Sequence, residues 1–232
     1  MNISYKSLFF DLDDTLWDTQ QNNKECLNEI YIDYKLSQYY ESFEAFYDRY
    51  MPNNLRLWEQ YRNHEIERKT LILERFLYIL RPIGIEDEAF ALKLNNDFLQ
   101  RTATKTKLIP GAIELLEYLR PYYRMFILSN GFREIQFLKM KHSGLAPYFE
   151  KTILSEDANI QKPRKGIFDF ALKNTNSRRK EAIMIGDSWE ADIFGAKQSK
   201  IDQIWYNPGK LSTKDFEPTY QVNTLNEIRH IL

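Results

Sequence analysis

A chain of 232 residues, 43% hydrophobic and 28% charged, has an ordinary globular composition and a length that suits one main domain carrying an insert better than two full domains. The formal net charge of −1 supplies no bulk basic field, and no apolar run approaches the ~18 residues of a membrane span, so neither a nucleic-acid polymer nor a membrane is an expected partner. One cysteine, Cys26, excludes an internal disulfide and a thiolate zinc site, and His64, His142 and His230 lack metal-ligand spacing, which leaves oxygen ligands for any metal.

The first element in chain order is the one with most chemistry. Leu8-Phe9-Phe10 reads as a buried strand that runs into Asp11-Leu12-Asp13-Asp14-Thr15, a charged loop. Carboxylates two positions apart, followed by a hydroxyl, offer a nucleophile, a proton donor and a phosphate or metal contact. An Asp-rich turn closing a strand is the plainer alternative.

Between Trp17 and Lys107 no strand is evident and several helices are expected. Apolar residues recur at helical steps in Cys26, Leu27, Ile30, Tyr31 and Tyr34, and again in Ile72, Leu73, Phe76, Leu77 and Leu80, after which Pro82 and Gly84 break the pattern. A further helix is expected over 86–101, its acidic start suiting a helix N-terminus. Thr104-Lys105-Thr106-Lys107 then reads as a polar hinge.

From Pro110 onward, short apolar runs alternate with helices, the signature of a parallel sheet with helical crossovers. Strands are expected at 124–128, 152–154, 182–185 and 203–206, and helices at 112–119, 133–142, 165–173 and 190–198. With the first strand this gives about five parallel strands. Three more polar clusters follow strand candidates: Ser129-Asn130-Gly131, Gln161-Lys162-Pro163, and Gly186-Asp187-Ser188 with Asp192 one helical turn on. Each alone is also an ordinary turn, solvated lysine or helix cap. Strand direction nevertheless places all four at one edge of the sheet, where open α/β sheets bind ligands. Neither glycine-rich phosphate-loop pattern occurs in the chain.

Asp11-Leu12-Asp13-Asp14-Thr15, Ser129-Asn130-Gly131, Lys162-Pro163 and Gly186-Asp187 with Asp192 resemble, in order, the four motifs of the haloacid dehalogenase (HAD) superfamily. The resemblance implies a Rossmann-like three-layer α/β core at residues 1–16 and 108–232 and an all-helical C1 cap at 17–107. The wording of Leu128-Ser129-Asn130-Gly131-Phe132, of Lys162-Pro163 with Ile167-Phe168, and of Asn54 to Tyr61 with Leu57-Trp58 is further similar to the pyrimidine 5′-nucleotidase branch. That would make the substrate a small phosphate ester, in first place a pyrimidine nucleoside monophosphate. Phosphoglycolate or a sugar phosphate is the alternative.

By the same resemblance Asp11 is the nucleophile and Asp13 the acid and base, a pair of duties that asks for a raised carboxyl pKa. Thr15, Ser129, Asn130 and Lys162 are the phosphate-binding set, with Thr15 pinning the first loop. Asp11, Asp13 (through its carbonyl), Asp187 and Asp192 are the metal set. Electrostatics point the same way: carboxylates ~4 Å apart repel by ~4 kcal/mol per pair at an effective dielectric of ~20, more than one lysine offsets. Mg²⁺ suits such oxygen donors. A dehalogenase needs no proton donor at Asp13, a phosphosugar mutase would differ mainly in its cap, a response-regulator domain lacks a large helical insert, and a catalytically dead scaffold sits badly with a full motif set. Ten aromatics between Tyr31 and Tyr61 offer a base a stacking surface, though most are expected to be cap core. A cytoplasmic monomer or homodimer is expected.

Overall fold

The computed structural model of the chain describes residues 5–232. It divides into two compact units, one formed by the segment ending at Thr19 together with Thr106–Leu232, the other by Gln20–Lys105.

The first unit is built on a six-stranded sheet: β1 (Ser7–Phe10), β2 (Arg124–Ser129), β3 (Lys151–Leu154), β4 (Ala182–Gly186), β5 (Asp202–Tyr206) and β6 (Tyr220–Val222). The spatial order is β3-β2-β1-β4-β5-β6, and every neighbouring pair is parallel. Side chains alternate across a strand, so β1 feeds two cores. Leu8 and Phe10 pack with Ile127, Ile183, Ile185 and Ile204 under Leu115, Leu116 and Leu119 of a helix over Ala112–Leu119. Phe9 points the other way, with Phe126, Leu128 and Met184, against Ile167, Phe168, Ala171 and Leu172 of a helix over Lys165–Asn174. Burial of such side chains stabilises by ~1.5–3 kcal/mol each, and two buried faces explain why Leu8, Phe9 and Phe10 are apolar in succession. The outcome is the expected three-layer α/β fold with one strand more than the sequence pattern gave. The extra strand, β6, is three residues long with Tyr220 and Gln221 exposed, so it carries no apolar run.

The second unit is four helices: α1 (Thr19–Asp33, whose first residue belongs to the sheet unit), α2 (Phe43–Arg62), α3 (Arg68–Leu80) and α4 (Glu88–Thr104). Ser42 accepts a hydrogen bond from the Ala45 N–H, and Asp87 one from the Phe90 N–H, each capping the start of a helix. The Asp87 cap moves the start of α4 two residues past the expected one. Gly84, at φ 79°, takes the left-handed conformation that ends the turn after α3. Leu27, Ile30, Phe46, Tyr50, Phe76, Leu80, Leu94 and Phe98 form the common core. Most aromatics between Tyr31 and Tyr61 do pack there, Tyr39, Trp58 and Tyr61 excepted: Tyr50 lies 5.3 Å from Phe76 and 6.2 Å from Phe98, ring to ring. Arg101 on α4 ion-pairs with Glu29 and Asp33 of α1, at 3.5 and 2.7 Å.

The remaining helices of the sheet unit are α5 (Ala112–Leu119), α6 (Arg133–His142), α7 (Ser155–Ala158), α8 (Lys165–Asn174) and α9 (Gly195–Gln198). A π-helical turn, Trp189–Phe194, leads directly into α9. No described helix is long and apolar enough to cross a membrane.

Candidate active site

A parallel sheet puts the loops after β1, β2 and β4 at the same edge. The order of strands reverses at β1, with β2 on one side and β4 on the other, which opens the crevice where such sheets bind ligands. Asp11 is fixed at the mouth of that crevice by its own N–H, which donates to the Ile185 carbonyl at 2.9 Å.

Lys162 is the centre of the site. Its ammonium is buried and donates to Asp11 Oδ1 at 2.7 Å, to Asp192 Oδ1 at 2.6 Å and to the Leu128 carbonyl at 2.7 Å. Asn130 sets its backbone: the Asn130 amide donates to the Lys162 carbonyl at 3.0 Å and accepts from the Lys162 N–H at 2.9 Å. Both polar ends of the Asn130 side chain are therefore engaged with the Lys162 loop.

Thr15 joins the first and fourth loops. Its hydroxyl accepts from the Asp187 N–H and donates to Asp187 Oδ1, both at 3.0 Å. Asp192 is wholly buried in the π-helical turn, a distortion that often marks functional sites, and its Oδ2 accepts from the Ser188 N–H at 3.2 Å. Gly186 makes room for it. A Cβ at position 186 would stand 2.3 Å from Asp192 Oδ2.

Ligand atoms of Asp11, Asp187 and Asp192 lie within 4.8 Å of one another, and two of the three carboxylates, Asp11 and Asp192, share the Lys162 ammonium. Burial pushes the Asp11 carboxyl up to about 7; Asp192 and Asp13 add repulsion, and Lys162 opposes it. Asp187 is raised well above the usual carboxylate range by burial and then by Asp11, Asp192 and Asp14. Burial works against the charge on Lys162, but Asp11 and Asp192 more than restore it. With fewer ammonium than carboxylate groups in the cluster, Asp11 and Asp187 are both pushed toward protonation.

Asp13 sits apart from this trio in a different network. Lys139 Nζ donates to its Oδ1 at 2.6 Å, Thr19 Oγ1 to the same oxygen at 3.2 Å, and Gln136 Nε2 to Oδ2 at 2.7 Å. Burial raises the Asp13 carboxyl, but Lys139, Gln136 and Thr19 outweigh it and leave the pKa below the ordinary value. This corrects the expectation of a raised pKa, because a lysine unforeseen in the motif pattern stands against the carboxylate. Ser129 belongs to the same network: its hydroxyl accepts from the Gly131 N–H at 3.1 Å and from Gln136 Nε2 at 2.7 Å.

Sequence reasoning missed Gln136 and Lys139. The available signal was two polar residues at the core-facing positions of α6, between the buried Ile135 and Met140.

Fold and sequence together define a hydrolase of α/β class with an acidic cluster at the sheet edge. The chain belongs to the haloacid dehalogenase-like hydrolases, whose family pattern matches residues 5–200. It is 31% identical to the HAD-hydrolase YfnB of Bacillus subtilis, over 98% of this chain and 95% of that one. It is 30% identical to the pyrimidine 5′-nucleotidase YjjG of Escherichia coli, over 97% and 96% of the two chains. The crystal structure of YfnB bound to magnesium superimposes with a TM-score of 0.88 at 28% identity, covering 98% of each chain.

Proposed function

We propose that the protein is a divalent-cation-dependent phosphomonoester hydrolase, and within that class a 5′-nucleotidase acting on pyrimidine nucleoside monophosphates. The observation that carries the chemistry is the buried Lys162 bridging Asp11 and Asp192 beside Asp187, with Asp13 held separately. Near full-length similarity to YjjG, and to the pyrimidine 5′-nucleotidase PynA of Streptococcus pneumoniae at 30% identity, supports the substrate choice. Under this reading the helical unit Gln20–Lys105 is the family's cap.

The donor set fits a hard cation: all its donors are oxygen, the carboxylates are crowded, and two of them are pushed toward protonation when nothing offsets their charge. Asp11 and Asp187 would hold Mg²⁺ by side chain and Asp13 by its backbone carbonyl, with Asp192 a direct or water-mediated further ligand. When bound, the ion supplies positive charge to the phosphoryl oxygens and to the carboxylates around them.

The chain's own residues carry the two displacements. In the first, an Asp11 carboxylate oxygen bonds to phosphorus as the phosphorus–ester oxygen bond breaks, and Asp13, which is ionised beside Lys139 until the negative phosphoryl group arrives and must then take a proton from solvent, gives that proton to the departing alkoxide. In the second, Asp13 as carboxylate takes a proton from water while the water oxygen bonds to phosphorus, releasing phosphate and restoring Asp11. Lys162, with the Ser129 hydroxyl, neutralises and orients phosphoryl oxygens throughout. Asn130 and Thr15 serve by fixing the loops that present Lys162 and Asp187.

The test is phosphate release from a panel of nucleoside monophosphates, hexose phosphates and phosphoglycolate, with Mg²⁺ and in excess chelator. Activity is expected only with the cation, is lost in Asp11→Asn, and ranks pyrimidine nucleotides first. Full activity in chelator would overturn the hydrolase mechanism, whereas efficient turnover of a hexose phosphate instead would overturn the nucleotidase assignment alone.

A further inference from the structure

The first turns of α6 direct two polar side chains inward where an amphipathic helix would place apolar ones. Gln136 is wholly buried and Lys139 nearly so, at 6% exposure. Such burial is unfavourable for an amide and an ammonium unless each is spent on a specific partner. Both are spent on Asp13, which lies more than a hundred residues earlier in the chain. Lys139 reaches one carboxylate oxygen at 2.6 Å and Gln136 the other at 2.7 Å, so the plane of the carboxylate is fixed from both sides. The Lys139 ammonium also lies 4.1 Å from the centroid of the Trp17 ring, which holds it in place.

Gln136 has a second duty. The same nitrogen that bonds Asp13 donates to Ser129 Oγ at 2.7 Å, so one side chain couples the carboxylate to the hydroxyl at the end of β2. Gly131 gives Gln136 the necessary space, since a Cβ there would fall 2.3 Å from its Nε2. The network runs from Lys139 through Asp13 and Gln136 to Ser129, within one unit of the protein.

We infer that Gln136 and Lys139 are positioning residues of the reaction, which aim the Asp13 carboxylate at the leaving group and, through Gln136, set the Ser129 hydroxyl against the phosphoryl group. The inference rests on the hydrolase reading above and adds two residues to it. Lys139 does not itself touch the reacting atoms in this assignment. A misaimed Asp13 should slow those steps that need its proton and spare those that do not. Expulsion of an alkoxide needs the proton; expulsion of a stabilised phenolate needs little of it.

The experiment compares two pre-steady-state rates in full-length protein with Mg²⁺: single-turnover hydrolysis of a pyrimidine nucleoside monophosphate, and the phenolate burst from an aryl phosphate. Lys139→Met and Gln136→Leu are expected to lower the ratio of alkyl to aryl rates by roughly 10- to 100-fold, the scale on which misplacement of a reacting group is felt. Lys139→Arg is expected to restore most of it. A purely structural role would reduce both rates together, through the fraction of folded enzyme, and leave their ratio unmoved. Should Lys139→Met fail to fold, Gln136→Leu alone decides. An unchanged ratio in the folded variants, with a lowered ratio in Asp13→Asn, would overturn the inference and leave the hydrolase reading standing. An unchanged ratio in Asp13→Asn as well would remove Asp13 from the chemistry and the inference with it.

Discussion

Stability in the absence of metal should fall as pH rises through neutrality, opposite to the behaviour of most carboxylate-rich proteins. Asp11 has an ordinary value of 3.8 and is raised to about 7 in the folded chain. A group whose folded pKa lies above its unfolded one binds its proton more tightly in the native state. Its contribution is therefore complete below the unfolded value and is lost as pH climbs toward the folded one. At ~1.4 kcal/mol per pH unit the whole loss is roughly 4 kcal/mol, of which about 3 kcal/mol falls between pH 5 and pH 8. Asp187 is raised too and acts in the same direction. Asp13, Asp169 and Glu227 are lowered, so their contributions are lost on acidification below their ordinary values, outside this window. At ~2–4 °C per kcal/mol for a chain of this size, the melting midpoint in chelator should be ~6–12 °C lower at pH 8 than at pH 5. Mg²⁺ at ~100 times its dissociation constant should return ~2.7 kcal/mol of this at pH 8. Circular-dichroism melts at both pH values, with and without the cation, check it. A midpoint in chelator that is flat or rises across that interval would mean that the carboxylates are not crowded as described.

Three other outcomes follow from particular contacts. Asp13→Asn, mixed with an aryl phosphate and Mg²⁺, should give a phenolate burst and a hydroxylamine-sensitive phosphoprotein mapped to Asp11; steady turnover at the wild-type rate with no trapped species would refute the two-step assignment. Gly186→Ala should force Asp192 out of its place, because the new Cβ would meet its carboxylate at 2.3 Å, and calorimetry should register weaker Mg²⁺ binding; unaltered binding would take Asp192 and its surroundings out of the metal site. Arg75→Met should raise the melting midpoint, since the guanidinium is buried with Nε and Nη2 unpartnered, and the Trp58 and Phe98 rings, at 5.9 and 5.6 Å, together with Tyr50 offset little of its desolvation. A fall in the midpoint would show the guanidinium to be worth more than its desolvation costs.

The parallel sheet was legible because β1, β2, β4 and β5 are buried on both faces and so appear as short apolar runs. The expected 182–185 and 203–206 lie within the observed Ala182–Gly186 and Asp202–Tyr206. The helices over Ala112–Leu119 and Arg133–His142 coincide with expectation, the first showing a full apolar stripe and the second one interrupted by Gln136 and Lys139. The segment expected as one helix at 190–198 is instead a π-helical turn followed by α9, a change of hydrogen-bond register that periodicity does not reveal. In the site, residue types and spacing pointed to the loops that meet, because chain direction alone brings parallel strand ends together. What each side chain bonds to is another matter. That Asn130 would clamp Lys162, or that Lys139 would reverse the sign of the shift on Asp13, depends on contacts between residues more than 30 and more than 120 positions apart, and no local pattern encodes them.

The place of β1 also has a consequence for how the chain is made. Phe10 pairs with Ile127 on one side and Ile185 on the other, so the central strand is synthesised first and completed last. At ~5–20 residues per second the ribosome needs roughly 6–25 s to reach the first partner and roughly 9–35 s to reach the second. Throughout that interval β1 is an apolar segment with both edges unpaired, the kind of sequence that chaperones bind. The intervening product is the whole of Gln20–Lys105, whose helices need only near neighbours in sequence and can form in far less time. Ribosome-arrested chains long enough for Lys105 to have emerged, but not Ile127, should therefore show protease protection across Gln20–Lys105 and none at Leu8 to Phe10, with protection of β1 arriving only once Ile185 has emerged.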